Sequence, residues 1–327
     1  MPSAIVVHRV GGPEELRFEE VPEPVLGPGQ ARVRQTAIGL NFVDVYVRTG
    51  LYKPPAMPFV PGQEGAGMVE AVAPGVTEVA VGDRVAYAGV IGAYADVRVL
   101  PAARLVKLPA GIDDRTAAAL MLKGMTAEYL LRRCGRPRAG DTIVWHAAAG
   151  GVGLIACQWA KHLGLHVIGT AGGPAKVELA KAHGCEHVID YDAVDLPGLV
   201  ARVKELTGGK GVPVVFDSVG KRTFQASLDC LAPRGMLVIF GNASGPVGPF
   251  DPLILGGPRS LFLTRPSLGA WIPTRAELLE SAGALFEVVT SGAVKVQIPQ
   301  TYTLRDAAKA HVELEARRTT GSTVLLP

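Results

Sequence analysis

Residues 147–153 read AAAGGVG, after an apolar stretch at 142–146 and before a run with apolar side chains at Ile155, Trp159 and Leu163. A strand that enters a glycine turn and leaves as a helix is the setting in which glycines hold a dinucleotide. Bare backbone admits a pyrophosphate, and the helix N-terminus presents unpaired N–H groups to it. Ala148, Gly150 and Gly153 stand at the three glycine positions of that fingerprint, the first as alanine. The phosphates are expected against Ala149, Gly150, Gly151 and Val152, with Gly153 letting helix and strand pack closely. An NAD site carries Asp or Glu about 20 residues further on for the ribose 2′-hydroxyl. Here residues 170–173 read TAGG, with Lys176 following. Small residues with a cation nearby suit a 2′-phosphate, so Gly172 and Lys176 point to NADPH.

A second stretch, PGQEGAG at 61–67, frames Gln63 and Glu64 with proline and glycines. It admits three readings: a bare turn, a phosphate loop, or a metal-ligand position filled by a residue that holds metals poorly.

These residues need elements to position them. Up to about residue 120, short strand-like segments at 4–10, 16–21, 31–40, 65–72, 83–88 and 94–100 are divided by GGPEE, PEPVLGPGQ, APGV and LPAAR. That series predicts an antiparallel barrel or sandwich. Residues 114–134 carry helical spacing, and from 141 onward strands at 142–146, 166–170, 187–189, 213–217 and 236–240 alternate with helices at 152–163, 175–183, 196–206 and 223–231. Alternation of this kind predicts a doubly wound parallel sheet, so the fold class is α/β with a mostly antiparallel β domain attached. Beyond 265 the pattern is irregular, then predicts a helix at 274–291, a strand at VKVQIP (294–299), a helix at 304–318 and a strand-like STVLLP.

The 327 residues, at roughly 150 per domain, suggest two domains. With 48% hydrophobic and 19% charged residues the composition is that of a globular protein, and no apolar run reaches the length of a membrane span. A net charge of +3 fits an anionic small ligand and does not call for nucleic acid. Cys134, Cys157, Cys185 and Cys230 form no CxxC pair and read as reduced thiols. The opening MPSAIVVHRV lacks the apolar segment of a signal peptide, and a cytoplasmic enzyme is expected.

Over essentially its whole length the chain resembles the zinc-independent quinone oxidoreductase, or ζ-crystallin-like, branch of the medium-chain dehydrogenase/reductase superfamily. The resemblance rests on GLNFVDVYVRTGLY (39–52), PFVPGQEGAG (58–67), VGDRVAY (81–87), AAAGGVG (147–153), FDSVG (216–220), FGNASG (240–245), TRPSL (264–268) and the tail around Arg317. It implies a GroES-like catalytic domain assembled from residues 1–121 and 263–327, a Rossmann NADP-binding domain at 122–262, a cleft between them, and a homodimer. Metal-using relatives carry a cysteine and a histidine where this chain has Asn41 and Gln63, with Asp44 and Glu64 retained. Carboxamides are poor zinc ligands, and residues 88–110 hold no cysteine for a structural zinc lobe, so no metal is expected.

Without a Lewis acid to deprotonate an alcohol, the resemblance implies reduction of an electron-poor acceptor by NADPH, a quinone first and an α,β-unsaturated ketone or aldehyde as the alternative. Asn41, Gln63 and Tyr52 are the expected donors to the acceptor oxygen, with Asp44 beside them. By the same resemblance Tyr46, Thr126, Ser218, Phe240, Gly241, Asn242, Leu263 and Arg265 line the ribose and nicotinamide, and Tyr191 and Arg317 join Lys176 at the 2′-phosphate. No general base stands out, which leaves water to supply the proton. Members similar to ζ-crystallin bind RNA, a role the basic run RRCGRPR (132–138) would serve, although a solvated connection is the simpler reading of it.

Overall fold

The computed structural model describes residues 1–327, which pack as two units: Met1–Met125 with Ile272–Thr290 and Val296–Pro327, and Thr126–Trp271 with Ser291–Lys295. The sequence reading placed the divisions at 121/122 and 262/263. Both 121/122 and the division at 125/126 lie inside the continuous helix Asp114–Tyr129, where no turn residue marks a boundary.

In the unit beginning at Thr126, strands with apolar runs such as Ile143–Val144–Trp145 are buried on both faces, and each of the first four is followed by a helix. A chain so patterned returns in the same direction, and the result is a six-stranded all-parallel sheet. Its order is His187–Asp190, His166–Ala171, Thr142–Trp145, Val212–Asp217, Leu231–Ile239, Phe262–Thr264. The order reverses beside Thr142–Trp145, and in such sheets ligands bind at the carboxyl ends of the strands at that point. The predicted doubly wound sheet is therefore present. The edge strand Phe262–Thr264 escaped the sequence reading because three residues are too few to show a period.

The unit beginning at Met1 is built on the strand Gln30–Leu40, which pairs antiparallel with Glu64–Val72, with Val97–Pro101 and with Thr323–Leu326. Arg84–Ala88 and Val106–Lys107 extend the sheet on one side and Gln300–Thr303 on the other, while Ser3–Val6 and Arg17–Glu20 form a separate ribbon. Inward-facing Val33, Ile38, Val69, Val85, Tyr87 and Leu100 make its core. The predicted strand at 294–299 is not one. Residues 295–299 take no regular structure and the strand begins at Gln300, because Pro299 has no N–H to place in a ladder. The predicted helix at 304–318 is a short turn of 3₁₀ followed by Ala307–Glu315.

Two chain segments approach so closely at Gly39 that a Cβ there would lie 2.1 Å from the Ala118 carbonyl oxygen and 2.4 Å from the Glu64 carboxylate. Gly39→Ala is expected to cost about 2–4 kcal/mol in urea unfolding, through forced separation of backbone. Gly75→Ala, at φ 82 with nothing within 4 Å, is the control for backbone strain alone and should cost about 1 kcal/mol. Equal losses at the two positions would show that the close approach carries no weight.

Candidate active site

In the first unit, Asn41 ends the strand Gln30–Leu40 and opens the helix Phe42–Arg48, and Gln63 immediately precedes the strand Glu64–Val72. The centre of this region is Glu64, which is 0% exposed. Its Oε2 accepts from Asn41 Nδ2 at 2.7 Å and from the Lys123 ammonium at 2.8 Å, and its Oε1 accepts from the backbone N–H of Leu122 at 2.7 Å. A buried carboxylate is tolerated only when its charge is met in this way. The Asn41 amide spends its hydrogens on Glu64 and, at 3.3 Å, on the Gly39 carbonyl. The Gln63 carboxamide makes no hydrogen bond within the chain; only its backbone carbonyl is used, accepting from Gly89 at 2.8 Å. Of the two amides expected as donors, Gln63 is the uncommitted one.

Asp44 lies one turn into the helix. Its Oδ2 accepts from Asn41 N–H at 2.9 Å and from the Tyr94 hydroxyl at 3.1 Å, while its Oδ1 is buried without a partner. Burial pushes its pKa up to about 7, against the opposing pull of the Asn41 N–H, the Tyr94 hydroxyl and Lys123; Glu64 adds to the rise. Tyr94 also meets His311 Nε2 at 3.1 Å, and His311 Nδ1 stands 3.0 Å from the Arg48 guanidinium. Arg48 only donates, so Nδ1 accepts and Nε2–H donates to Tyr94. Burial, reinforced by Arg48, brings the His311 pKa down to about 3, and the ring is neutral. Arg48 is itself paired at 2.7 Å with Glu315. Tyr46 and Tyr52 contact edge to face at 5.2 Å between centroids, on the same helix and the loop after it.

Asn41 and Asp44 thus stand at one helix start, joined through Glu64 to the strand start that follows Gln63, while Tyr46 and Tyr52 pair further along that helix and in the loop after it. Lys123, Tyr94 and His311 were missed. A lysine inside the apolar run ALMLKGM was the available signal for the first, since a charge on a buried helix face needs a partner.

In the second unit the glycine turn follows the strand Thr142–Trp145 and leads into the helix Gly151–His162, with Gly150 as its N-cap. Ala147 is held at φ 54, and Gly150 N–H returns to its carbonyl at 3.0 Å. A Cβ on Gly153 would sit 2.5 Å from the Ala147 carbonyl oxygen, so helix and strand meet there without a side chain between them. The N–H groups of the first helical turn have no intrahelical acceptor and remain for an anion.

Gly172 packs against Tyr191, whose ring would lie 2.9 Å from a Cβ at that position, and Arg222 lies over the same ring at 5.4 Å. Lys176 is half-buried in the first turn of Pro174–Ala182. Two acids of the following strand and turn also come close. Asp190 accepts from Gly173 N–H at 2.9 Å, and the Asp192 carboxylate would lie 2.7 Å from a Gly172 Cβ. These acids come from the third strand, His187–Asp190, and the turn after it, not from the end of the second. Ser218 and Gly241 touch, and Ala243 N–H donates to Ser218 O at 3.1 Å. Phe240 packs on Trp145 at 5.5 Å, Leu263 sits in the edge strand, Arg265 donates to Ile239 O at 3.3 Å, and Thr126 is buried. Arg317, exposed and at φ 59, belongs to the first unit rather than to that of Lys176 and Tyr191.

Residues 27–110 match the alcohol dehydrogenase GroES-like domain and residues 151–287 the zinc-binding dehydrogenase domain. The chain is 54% identical over 318 residues to a quinone oxidoreductase of Pseudomonas aeruginosa, covering 97% of both. The chain belongs to the quinone oxidoreductase branch of the medium-chain dehydrogenase/reductase superfamily. Within this branch, the crystal structure of the Escherichia coli quinone oxidoreductase complexed with NADPH superposes with a TM-score of 0.97 at 47% identity, covering 99% of this chain and 100% of that one. A 2-haloacrylate reductase of Burkholderia is 46% identical over 334 residues, covering 100% of this chain and 99% of that protein. The zinc in the name of one matched domain does not suit the side chains here. The positive charge beside Glu64 is the Lys123 ammonium, and Asn41 faces the carboxylate N–H first.

Asp44 gives a pH signature. Its pKa rises on folding from 3.8 to about 7, so the folded chain holds this proton more tightly than the unfolded one. The stabilisation is complete below the unfolded value and is lost as pH climbs through the folded one. Between about pH 4.5 and pH 8 the wild type should lose on the order of 2–4 kcal/mol more in urea unfolding than Asp44→Asn, which keeps an acceptor for Asn41 N–H and cannot ionise. Parallel pH profiles for the two proteins would show that Asp44 is ionised throughout.

Proposed function

We propose that the protein is an NADPH-dependent quinone reductase that passes hydride from the nicotinamide C4 to a quinone without a metal. The observation that carries this reading is identity of 54% over 97% of the chain to a quinone oxidoreductase, with carboxamides at Asn41 and Gln63. A quinone is electron-poor and accepts hydride when its oxygen is held as negative charge develops. Gln63 and Tyr52 donate to that oxygen. Asn41 holds Glu64 and the Lys123 ammonium in register, and Asp44 fixes the helix start that carries Asn41. Water returns the proton.

NADPH lies with its pyrophosphate against Ala149, Gly150, Gly151 and Val152, and its 2′-phosphate against Gly172, Lys176, Tyr191 and Arg317. Ser218, Phe240, Gly241, Asn242, Leu263 and Arg265, with Tyr46 and Thr126, line the rest. The catalytic domain is taken as residues 1–121 with 263–327, and the NADP-binding domain as 122–262. Reduction of an α,β-unsaturated carbonyl is the second reading, favoured by the 46% identity to a protein named for reducing 2-haloacrylate. RNA binding through residues 132–138 is disfavoured, because Arg133 is bonded to Glu128 at 2.6 Å and to the Trp271 carbonyl at 2.8 Å. A homodimer is supported by the edge strand Phe262–Thr264, where Phe262 is 57% exposed, together with Leu253 at 81%. Four unpaired cysteines support the cytoplasm.

The deciding experiment is NADPH oxidation against benzoquinones, naphthoquinones and short enones; no turnover with any of them would end both enzyme readings. NADPH should bind at least about tenfold more tightly than NADH, and Lys176→Ala should remove most of that preference, about 1–2 kcal/mol. Equal binding of the two cofactors would refute the 2′-phosphate assignment. Activity should persist after dialysis against a strong chelator, and restoration by zinc of a lost activity would overturn the metal-free mechanism. Gln63→Leu should lower kcat by about a hundredfold, the loss of one oxyanion donor, whereas an unchanged rate would remove Gln63 from the mechanism.

A further inference from the structure

At the carboxyl ends of the central strands, beneath the glycine turn, the second unit buries a histidine and an aspartate that the proposed chemistry does not use. His146 is 1% exposed and Asp217 0%. Ser227 Oγ donates to Asp217 Oδ2 at 2.7 Å and stands 3.0 Å from His146 Nε2. With its single hydrogen given to the carboxylate, Ser227 must accept from His146, so Nε2 carries the proton. Nδ1 of the neutral ring is then an acceptor, and the hydroxyl of Thr170, 3.0 Å away, donates to it. Thr170 Oγ1 in turn accepts from the backbone N–H of Ala147 at 3.3 Å. The polarity of every link follows from the carboxylate at one end: Ala147 N–H to Thr170, Thr170 to His146, His146 to Ser227, Ser227 to Asp217.

The two ends of the chain matter. Ala147 is the residue at φ 54 whose carbonyl closes the glycine turn. Asp217 uses its other oxygen on the N–H groups of Val219 at 2.7 Å and Gly220 at 2.9 Å, and also accepts from Thr223 at 2.7 Å. We infer that His146 is a positioning residue that holds the pyrophosphate turn at Ala147 and the 217–220 turn to a single buried anion, so that the two segments flanking the dinucleotide keep one geometry. This inference rests on the proposed NADPH reading. Burial keeps the imidazole neutral, lowering its pKa against the attraction of Asp217. An imidazolium would place a second donor opposite Thr170 and reverse the link between Thr170 and His146.

Thr170→Val removes the hydroxyl and keeps the shape, cutting the links to Ala147 and to His146 while leaving Ser227 and Asp217 in place. Fluorescence titration should show the NADPH dissociation constant of Thr170→Val raised about tenfold, with the KM for NADPH rising alongside and kcat falling by less, and Thr170→Ser should return to within about twofold of wild type. Thr170→Val binding NADPH as the wild type does would overturn the inference alone, whereas a wild type that did not bind NADPH would sink the cofactor assignment and the inference with it. A measurement on the unaltered protein needs no variant to fold. The imidazole ¹⁵N spectrum should show His146 protonated at Nε2 and bare at Nδ1 at neutral pH, with or without NADPH. The opposite tautomer, or an imidazolium, would break the proposed chain.

Discussion

The first unit is organised by a carboxylate that water cannot reach. Glu64 sits at the start of one strand, takes an amide hydrogen from the residue that ends another, and takes an ammonium and a backbone N–H from a helix. A unit charge in that position is tolerated because three donors converge on it, and removing the charged partner of such a group typically costs about 3–5 kcal/mol. Gly39 is bare because the helix and the carboxylate occupy the space a side chain would need. The residues expected to meet the acceptor are therefore held by electrostatics as much as by packing, and the orientation of Asn41 follows from that of Glu64.

This arrangement bears on Asn41 and Gln63, the positions at which the resemblance implies cysteine and histidine in metal-using relatives. Carboxamides in place of thiolate and imidazole remove the ligands, but a positive charge remains, carried by Lys123 on its own helix. An ammonium cannot coordinate an alkoxide as zinc does, and it can lower the energy of negative charge nearby. The neighbouring chain of Asp44, Tyr94, His311 and Arg48 is neutral at three of its four members when Asp44 is protonated, so the charge beside Glu64 is not offset from that side.

Local signals made part of this legible. The glycine turn, the alternation of strands and helices and the amides at 41 and 63 are each visible within a few residues, because backbone approach, burial and ligand chemistry impose residue types at fixed spacing. What stayed hidden depended on partners distant in sequence. Lys123 meets Glu64, and His311 meets Tyr94 and Arg48, across separations that no window spans. His146 read as the last apolar-strand residue, and its role appears only once Ser227 and Thr170 stand on either side of it. Asp192 was overlooked for a related reason, since its approach to Gly172 depends on how the third strand lies beside the second. The alternation at 294–299 forms no strand because Pro299 offers no N–H to a ladder.

The pairing of Thr323–Leu326 with Gln30–Leu40 bears on the order of assembly during synthesis. The ribosome releases the whole of the parallel-sheet unit before residues 300–303 and 323–326 exist, so that unit has all its strands while the older sheet still lacks two. Until then the upper part of the strand Gln30–Leu40 presents unpaired backbone groups on that side, an adhesive edge that a nascent chain must keep from neighbouring polypeptides.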